Sequence, residues 1–306
     1  MTTAVPVSDN RRALRIARAF VAELRPHQWV KNLLVFISPL AAHVLLQPGM
    51  LVRLGLLFAA FCAAASGVYV ANDLLDLKSD RLHPRKRNRP FASGLLPLSF
   101  GIVAPVLMLA GITIGFMLSM STGLLVVGYI ALSMAYSAYL KTQPLVDVFT
   151  LSGLYTLRLL AGEISAGIEP SLWLLSFSGF MFLSLAFLKR VSEYQAMVKA
   201  GASYETRRGY TPADVEMLKM MGVSSSFIAT MVLGLYISTE TAASEYTNPI
   251  ALWCAVPIFL FWQSRMWLSA ARDFMTDDPI VYAMRDWVSR LCLLLLLIVY
   301  GIASFL

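Results

Sequence analysis

The sequence predicts an all-α, polytopic membrane bundle of about nine transmembrane helices with polar caps on its cytoplasmic side. Three observations carry that prediction. Hydrophobic residues make up 58% of the 306-residue chain and charged residues only 14%, with a mean hydropathy of +0.68; a soluble globular domain is far more charged. Apolar runs of ~20 residues, enough to cross a hydrocarbon core, recur along the chain. The connections between those runs alternate in basic content, as membrane topology demands.

Residues 10–25 read as a basic amphipathic helix. Leu14, Ala17, Phe20, Val21 and Leu24 form one stripe, and Arg11, Arg12, Arg15 and Arg18 fall largely elsewhere. That pattern suits a helix lying on an anionic leaflet. The first 28 residues are polar and basic and lack an apolar core, so no cleavable signal peptide is expected. Residues 1–28 are therefore assigned to a cytoplasmic N-terminus and 29–306 to a single transmembrane domain.

The spans are expected near 29–47, 52–76, 97–118, 122–140, 144–166, 170–190, 218–238, 248–267 and 287–305. Pro39, Pro105 and Pro257 fall inside them, which bundled membrane helices tolerate. The N-terminus, 77–96, Lys141, 189–219 and 264–290 hold nearly all Lys and Arg. The opposite connections offer only Arg53, beside Glu163, Glu169, Glu240 and Glu245. The basic set is expected in the cytoplasm. Nine spans then place the C-terminus outside an inner (plasma) membrane. The net charge of +7 belongs to this orientation, so membrane lipids are expected as partners and nucleic acid is not. Long cytoplasmic loops, 77–96 and 189–217, follow the second and sixth spans, a hint of two topologically related halves. Cys62, Cys254 and Cys292 stand singly in apolar runs and read as buried free thiols. His27, His43 and His83 show no metal-site spacing.

The chemistry concentrates at the end of the second span. Asp73, Asp76 and Asp80 share one helical face at i, i+3 and i+7, and Asn72, Asp76 and Asp80 lie on nearly the same face. Arg81, Arg85, Lys86, Arg87 and Arg89 follow at once. Carboxylates at a bilayer edge are costly unless they bind something. Oxygen ligands of this kind suit Mg²⁺ bridging to phosphates. Asp73, Asp76 and Asp80, with Asn72, are thus the expected metal ligands and the expected catalytic group. Lys86, Arg87 and Arg89 are expected to neutralise phosphate. The plain alternative, a positive-inside loop, explains the arginines but not three phased aspartates.

Further sites are weaker. Lys189 and Arg190, with Glu193, end the sixth span and read as an anion site or as a surface ion pair of Lys189 with Glu193. Gln28, Lys31 and Asn32 precede or open the first span, as phosphate contacts or as interfacial anchors beside Trp29. Arg158 lies inside the fifth span with Asp147 and Tyr155, and a buried Arg needs a partner or an anionic ligand. Tyr136 and Lys141 are assigned to the same kind of pocket. Arg285 and Asp286 open the last span, where Asp286 favours the helix N-terminus.

The stretch Asn72-Asp73-x-x-Asp76-x-x-x-Asp80 resembles the first Asp-rich motif of the UbiA superfamily of intramembrane prenyltransferases. The resemblance runs from about Leu24 through the last span and implies that family's fold of nine helices. A second Asp-rich motif, expected after the sixth span, is absent: the sequence there is Lys189-Arg190-Val191-Ser192-Glu193-Tyr194. Arg25-Pro26-x-Gln28-Trp29-Val30-Lys31-Asn32, Asp80-Arg81-x-His83-Pro84-x-Lys86-Arg87-x-Arg89-Pro90, Lys189-Arg190-x-x-Glu193 and Arg285-Asp286-x-Val288 resemble the decaprenyl-phosphate phosphoribosyltransferase branch. That resemblance implies transfer of 5-phosphoribose from phosphoribosyl diphosphate (PRPP) to a polyprenyl phosphate, with release of pyrophosphate. It also implies a homo-oligomer, a trimer among the options. Two other functions fit the residues: prenyl transfer from a prenyl diphosphate to an aromatic or other small acceptor, and lipid binding or transport without chemistry.

Overall fold

The computed structural model describes residues 9–82, 86–199, 209–275 and 278–306, and side chains from residue 13 onward in the first helix. His83 and Arg85 of the basic tail, and the Arg11 and Arg12 side chains, lie outside the described set. Described secondary structure is helical: α1 (Asp9–Leu24), α2 (Ile37–Ala41), α3 (Met50–Leu75), α4 (Leu77–Leu82), α5 (Val103–Leu118), α6 (Met120–Ala138), α7 (Val146–Ala166), α8 (Leu172–Lys199), α9 (Asp214–Ile237), α10 (Glu240–Glu245), α11 (Ala255–Ala271), α12 (Pro279–Arg285) and α13 (Trp287–Phe305). Short 3-10 turns join several of them.

By length and composition, six described segments can cross a membrane: α3, α5 with its preceding turn, α6, α8, α9 and α13. The other three expected spans are helical in a different way. The first is broken into a 3-10 run, Pro26–Phe36, and the five-residue α2. The fifth, α7, carries Asp147, Arg158 and Glu163, all buried. The eighth divides into a 3-10 turn and the 17-residue α11.

Contacts group the chain into two compact units, residues 1–33 with 51–137 and residues 34–50 with 138–306. In the first unit α3 and α5 approach closely because glycine faces backbone. A Cβ on Gly67 would stand 2.7 Å from the Ala104 carbonyl oxygen, and one on Gly111 2.7 Å from that of Ala60. Small residues at such crossings are how membrane helices gain packing without a hydrophobic driving force. Near the end of α3 a cluster of Ala19, Val70, Phe91, Leu96 and Ala104 is buried, with Ile16, Phe20 and Leu24 of α1 packed on it. The expected stripe of α1 thus splits. Phe20 and Leu24 pack inward, while Leu14, Ala17 and Val21 stay exposed.

The second unit is built on α7, α8, α9 and α11. Its core gathers Tyr155, Leu159, Phe182, Phe187, Met266 and Trp267, and Trp267 Nε1 donates to Ser184 Oγ at 3.0 Å. Residues far apart in the chain close it. Tyr300 Oη of α13 donates to the Leu40 carbonyl at 2.5 Å, and His43 Nε2 meets Ser304 Oγ at 2.9 Å. Cys62 and Cys292 are buried free thiols as expected, but Cys254 is exposed, because it ends a 3-10 turn rather than facing a helix interior.

Candidate active site

The Asp-rich cap is built where α3 runs out. The helical hydrogen-bond pattern carries through the break at Asp76, whose amide donates to Asn72 O and whose carbonyl accepts from Asp80, both at 2.9 Å. Helical phase is therefore kept, and Asp73 and Asp80 come to one place. Each is 2% exposed. Arg89 Nη1 stands between them, 3.0 Å from Asp73 Oδ1 and 2.6 Å from Asp80 Oδ2. Arg25 closes the other side: its Nη2 donates to both oxygens of Asp73 at 2.7 and 2.8 Å. Lys86 Nζ is 3.9 Å from Asp80 Oδ1. Asp76 and Asn72 are half-buried on the same stretch, and Arg87 is exposed.

Arg25 reaches Asp73 because the chain turns sharply there. It ends α1 with φ +52, a left-handed conformation uncommon for a residue with a side chain, and Pro26 prevents the helix from continuing. Strained backbone of this kind persists where surrounding contacts over-determine it. The last turn of α1 also brings Glu23, which is 1% exposed. Neither of its carboxyl oxygens accepts a hydrogen bond from a described group. Burial, then the adjacent charge of Asp73 and a hydrogen bond to it, push Glu23 up to about 8, against the pull of Arg25 and Arg89.

Sequence spacing found Asp73, Asp80, Lys86 and Arg89, which the fold assembles. It missed Glu23 and the site role of Arg25. The available signal was one acid in a helix of arginines, followed by Arg-Pro. Among the described residues no three His, Cys, Asp or Glu side chains stand close enough to hold a metal ion; the guanidinium of Arg89 takes the space between the two aspartates.

The other expected contacts of the first unit are interior ones. Lys31 is buried, as is Asn32, whose Nδ2 donates to Cys62 Sγ at 3.3 Å. Trp29 Nε1 donates to Ser66 Oγ at 3.0 Å, so it anchors to α3. Gln28 and Tyr136 are half-buried.

In the second unit the cap after the sixth expected span carries cations that already have partners. Arg190 is paired with Asp147 and with Glu193. The surface pair expected of Lys189 with Glu193 is replaced: Lys189 Nζ lies 2.8 Å from Asp278 Oδ2, because three residues along α8 set Arg190, not Lys189, against Glu193. Tyr210 Oη donates to Asp147 Oδ1 at 2.5 Å and accepts from the Leu145 amide at 2.9 Å. Leu145 itself has φ +65. Burial and the bond to Asp147 raise the Tyr210 phenol well above its ordinary value. Arg158 is buried, donates to the Leu154 carbonyl at 2.5 Å and lies 5.6 Å over the Tyr155 ring. Lys141 is half-buried at the turn before α7. Asp286 accepts from the Ser289 amide at 2.8 Å as the cap of α13 and pairs with both terminal nitrogens of Arg265. Burial works against its ionised form, but those bonds outweigh it and hold its carboxyl below the ordinary value.

A family model described as "UbiA prenyltransferase family" matches residues 33–289. The chain belongs to the UbiA prenyltransferase family. It is accordingly a UbiA-family enzyme and an integral membrane protein. Among its relatives, the nodulation protein NoeC of Azorhizobium caulinodans is 36% identical over 278 residues, covering 88% of each chain. The decaprenyl-phosphate phosphoribosyltransferase of Corynebacterium glutamicum is 33% identical over 248 residues, 78% of this chain and 74% of that one. The uncharacterized protein y4nM of Sinorhizobium fredii is 35% identical over 88% of this chain, which spans only about half (53%) of its length. The UbiA fold is seen directly in a solved UbiA homolog from Archaeoglobus fulgidus bound to GPP and Mg²⁺. It superposes with a TM-score of 0.70 at 17% identity, over 92% of this chain and 99% of that one.

Proposed function

We propose that this UbiA-family enzyme transfers 5-phosphoribose from PRPP to a polyprenyl phosphate at the cytoplasmic membrane face and releases pyrophosphate. The observation that carries the reading is the asymmetry of the two caps. One gathers Asp73 and Asp80 around Arg89; the other offers Lys189, beside an Arg190 already held by Asp147 and Glu193, where a second Asp-rich motif is missing. PRPP has a 5-phosphate besides its diphosphate, and the acceptor adds a third phosphate, so this chemistry calls for more cations. The likeness to decaprenyl-phosphate phosphoribosyltransferases over most of both chains supports the same choice.

Asp73 and Asp80 fit Mg²⁺ as hard oxygen donors, since both carboxylates already converge on one cationic nitrogen. Asp76 and Asn72 complete the proposed ligand set. Bound there, the ion would stabilise charge developing on the diphosphate. Arg25 and Arg89 turn from the carboxylates to the diphosphate, with Lys86 and Arg87 neutralising its outer oxygens or the 5-phosphate. Carbon 1 of the ribose loses its bond to the diphosphate oxygen, which leaves with the electron pair as pyrophosphate. The acceptor phosphate oxygen forms the new bond to carbon 1. That oxygen is already anionic, so no strong general base is required. Lys189, 25% exposed at its side chain against 2% for Arg190, is assigned to a phosphate by exchange with Asp278. Arg190, with Asp147 and Tyr210, holds the cap in shape. Catalysis then rests on positioning and charge stabilisation.

Radiolabelled PRPP with purified enzyme, Mg²⁺ and polyprenyl phosphate is expected to label the lipid fraction, and Asp73→Asn to abolish the label while the protein stays folded. The fold shared with the GPP-bound homolog favours a second reading, prenyl transfer from a prenyl diphosphate. Product formed from geranyl diphosphate and none from PRPP would select it.

A further inference from the structure

The stretch Arg285-Asp286-x-Val288 has no part in the reaction described above, yet the fold builds a groove beside it. The groove lies between α11 and α13 and holds about 510 Å³, within the ~300–1,000 Å³ usual for ligand sites. Pro257, Phe261 and Arg265 line it from α11, and Trp287, Leu291 and Leu295 from α13. Among the described residues, Arg265 is the one charged side chain of the lining.

Arg265 is held in place there. Its two terminal nitrogens donate to Asp286 at 2.6 and 3.0 Å. Asp286 is itself fixed by the amide and the hydroxyl of Ser289, both at 2.8 Å. The Arg265 side chain is still 26% exposed. A guanidinium pre-organised in this way loses little freedom when it meets an oxyanion. Arg285 and Arg290 are exposed around the same end, so three arginines face the single acid Asp286. Asp273 and Asp278, on the connection between the two helices, already lie against Lys199 and Lys189. Trp287, 66% exposed, adds an indole of the kind that settles at the headgroup level.

We propose that this groove binds an anionic phospholipid of the surrounding leaflet, its phosphate at Arg265 and Arg290 and one acyl chain between α11 and α13. Charge complementarity selects the headgroup and length selects the tail. From Arg265 to Pro257, and from Trp287 to Leu295, each helix rises about 12 Å. That is close to the ~15 Å hydrocarbon depth of one leaflet, and a polyprenyl chain far outruns it. A plain interfacial belt of Trp and Arg would also attract anionic headgroups, but it would need no groove beneath them.

The test is native mass spectrometry of the delipidated, detergent-purified full-length protein, titrated with dioleoyl phosphatidylglycerol or dioleoyl phosphatidylcholine. Wild type is expected to prefer phosphatidylglycerol by roughly fivefold or more. Arg290→Gln is expected to weaken phosphatidylglycerol about fivefold and leave phosphatidylcholine unchanged. Arg265→Gln combined with Asp286→Asn is expected to do the same, since asparagine still caps α13 and no charge is stranded. Leu295→Trp, which fills the groove, is expected to weaken both lipids; should it not fold, Ile258→Phe takes its place. Equal affinity of wild type for the two lipids overturns the site. So do arginine variants that bind phosphatidylglycerol like wild type. A groove-filling variant that keeps full affinity reduces the contact to a surface belt and overturns the groove. Displacement of bound phosphatidylglycerol by an equal concentration of polyprenyl phosphate, or by self-association of the protein, assigns the groove to another occupant and overturns the proposal.

Discussion

At the scale of single residues, the most consequential group is the buried carboxyl of Glu23. It has a measurable signature in the metal-free protein. Burial, then the charge of Asp73, pushes the Glu23 carboxyl in the folded state up to about 8 from an ordinary 4.5. Between those values the native state keeps a proton that the unfolded chain has released, so this contribution to stability is full below the lower value and lost as pH rises through the upper one. The melting temperature of wild type relative to Glu23→Gln is therefore expected to fall from about pH 5 to about pH 9. A flat difference across that range would refute the raised value of Glu23. The same residues show what a sequence can and cannot disclose. Asp73, Asp80 and Arg89 were legible because helix phase and a short loop fix them locally. Glu23 and Arg25 were not, because they reach Asp73 only after α1 has docked through Ala19 and Ile16, a tertiary event that no local spacing encodes.

At the scale of elements, α1 and the cap after the sixth expected span each do two things. The buried side of α1 carries Ile16, Ala19 and Glu23 inward, while Leu14, Ala17 and Val21 remain exposed beside Arg15 and Arg18. Periodicity revealed an amphipathic helix but not that two of its faces have partners to find. At the other cap, sequence reasoning treated Arg190 as free to hold an anion. The fold gives its charge to Asp147, which is 0% exposed, and Tyr210 completes the cluster. Replacing Arg190 by Met alone would strand that carboxylate, and the expected cost is about 3–5 kcal/mol. Replacing Asp147 by Leu and Arg190 by Met together is expected to cost much less, since neither charge is then left unpaired. Thermal unfolding in detergent measures both; a double variant as unstable as the sum of the singles would show that the two side chains are not coupled.

At the scale of the whole molecule, hydropathy located the long helices but not the short α10 and α12, which fall in expected connections, and six described segments are long and apolar enough to span. The three that differ do so for physical reasons: a 3-10 run displaces an α-helix at 26–36, buried charge enters α7, and α11 is short. Nine crossings with a cytoplasmic N-terminus require the C-terminus outside. A reporter fused after Leu306 that is active only outside the cytoplasm is expected to be active, and the same reporter fused in the loop after α4 inactive. The reverse pattern, or activity in neither, would rule out the nine-span topology.

The bond from Tyr300 to Leu40 joins residues 260 positions apart, and that from His43 to Ser304 joins residues 261 apart. The second unit is thus stitched from segments far apart in the polypeptide. During synthesis the stretch around residue 40 is made some 260 residues before its partners in α13. Closure of this unit therefore waits on the synthesis of α13.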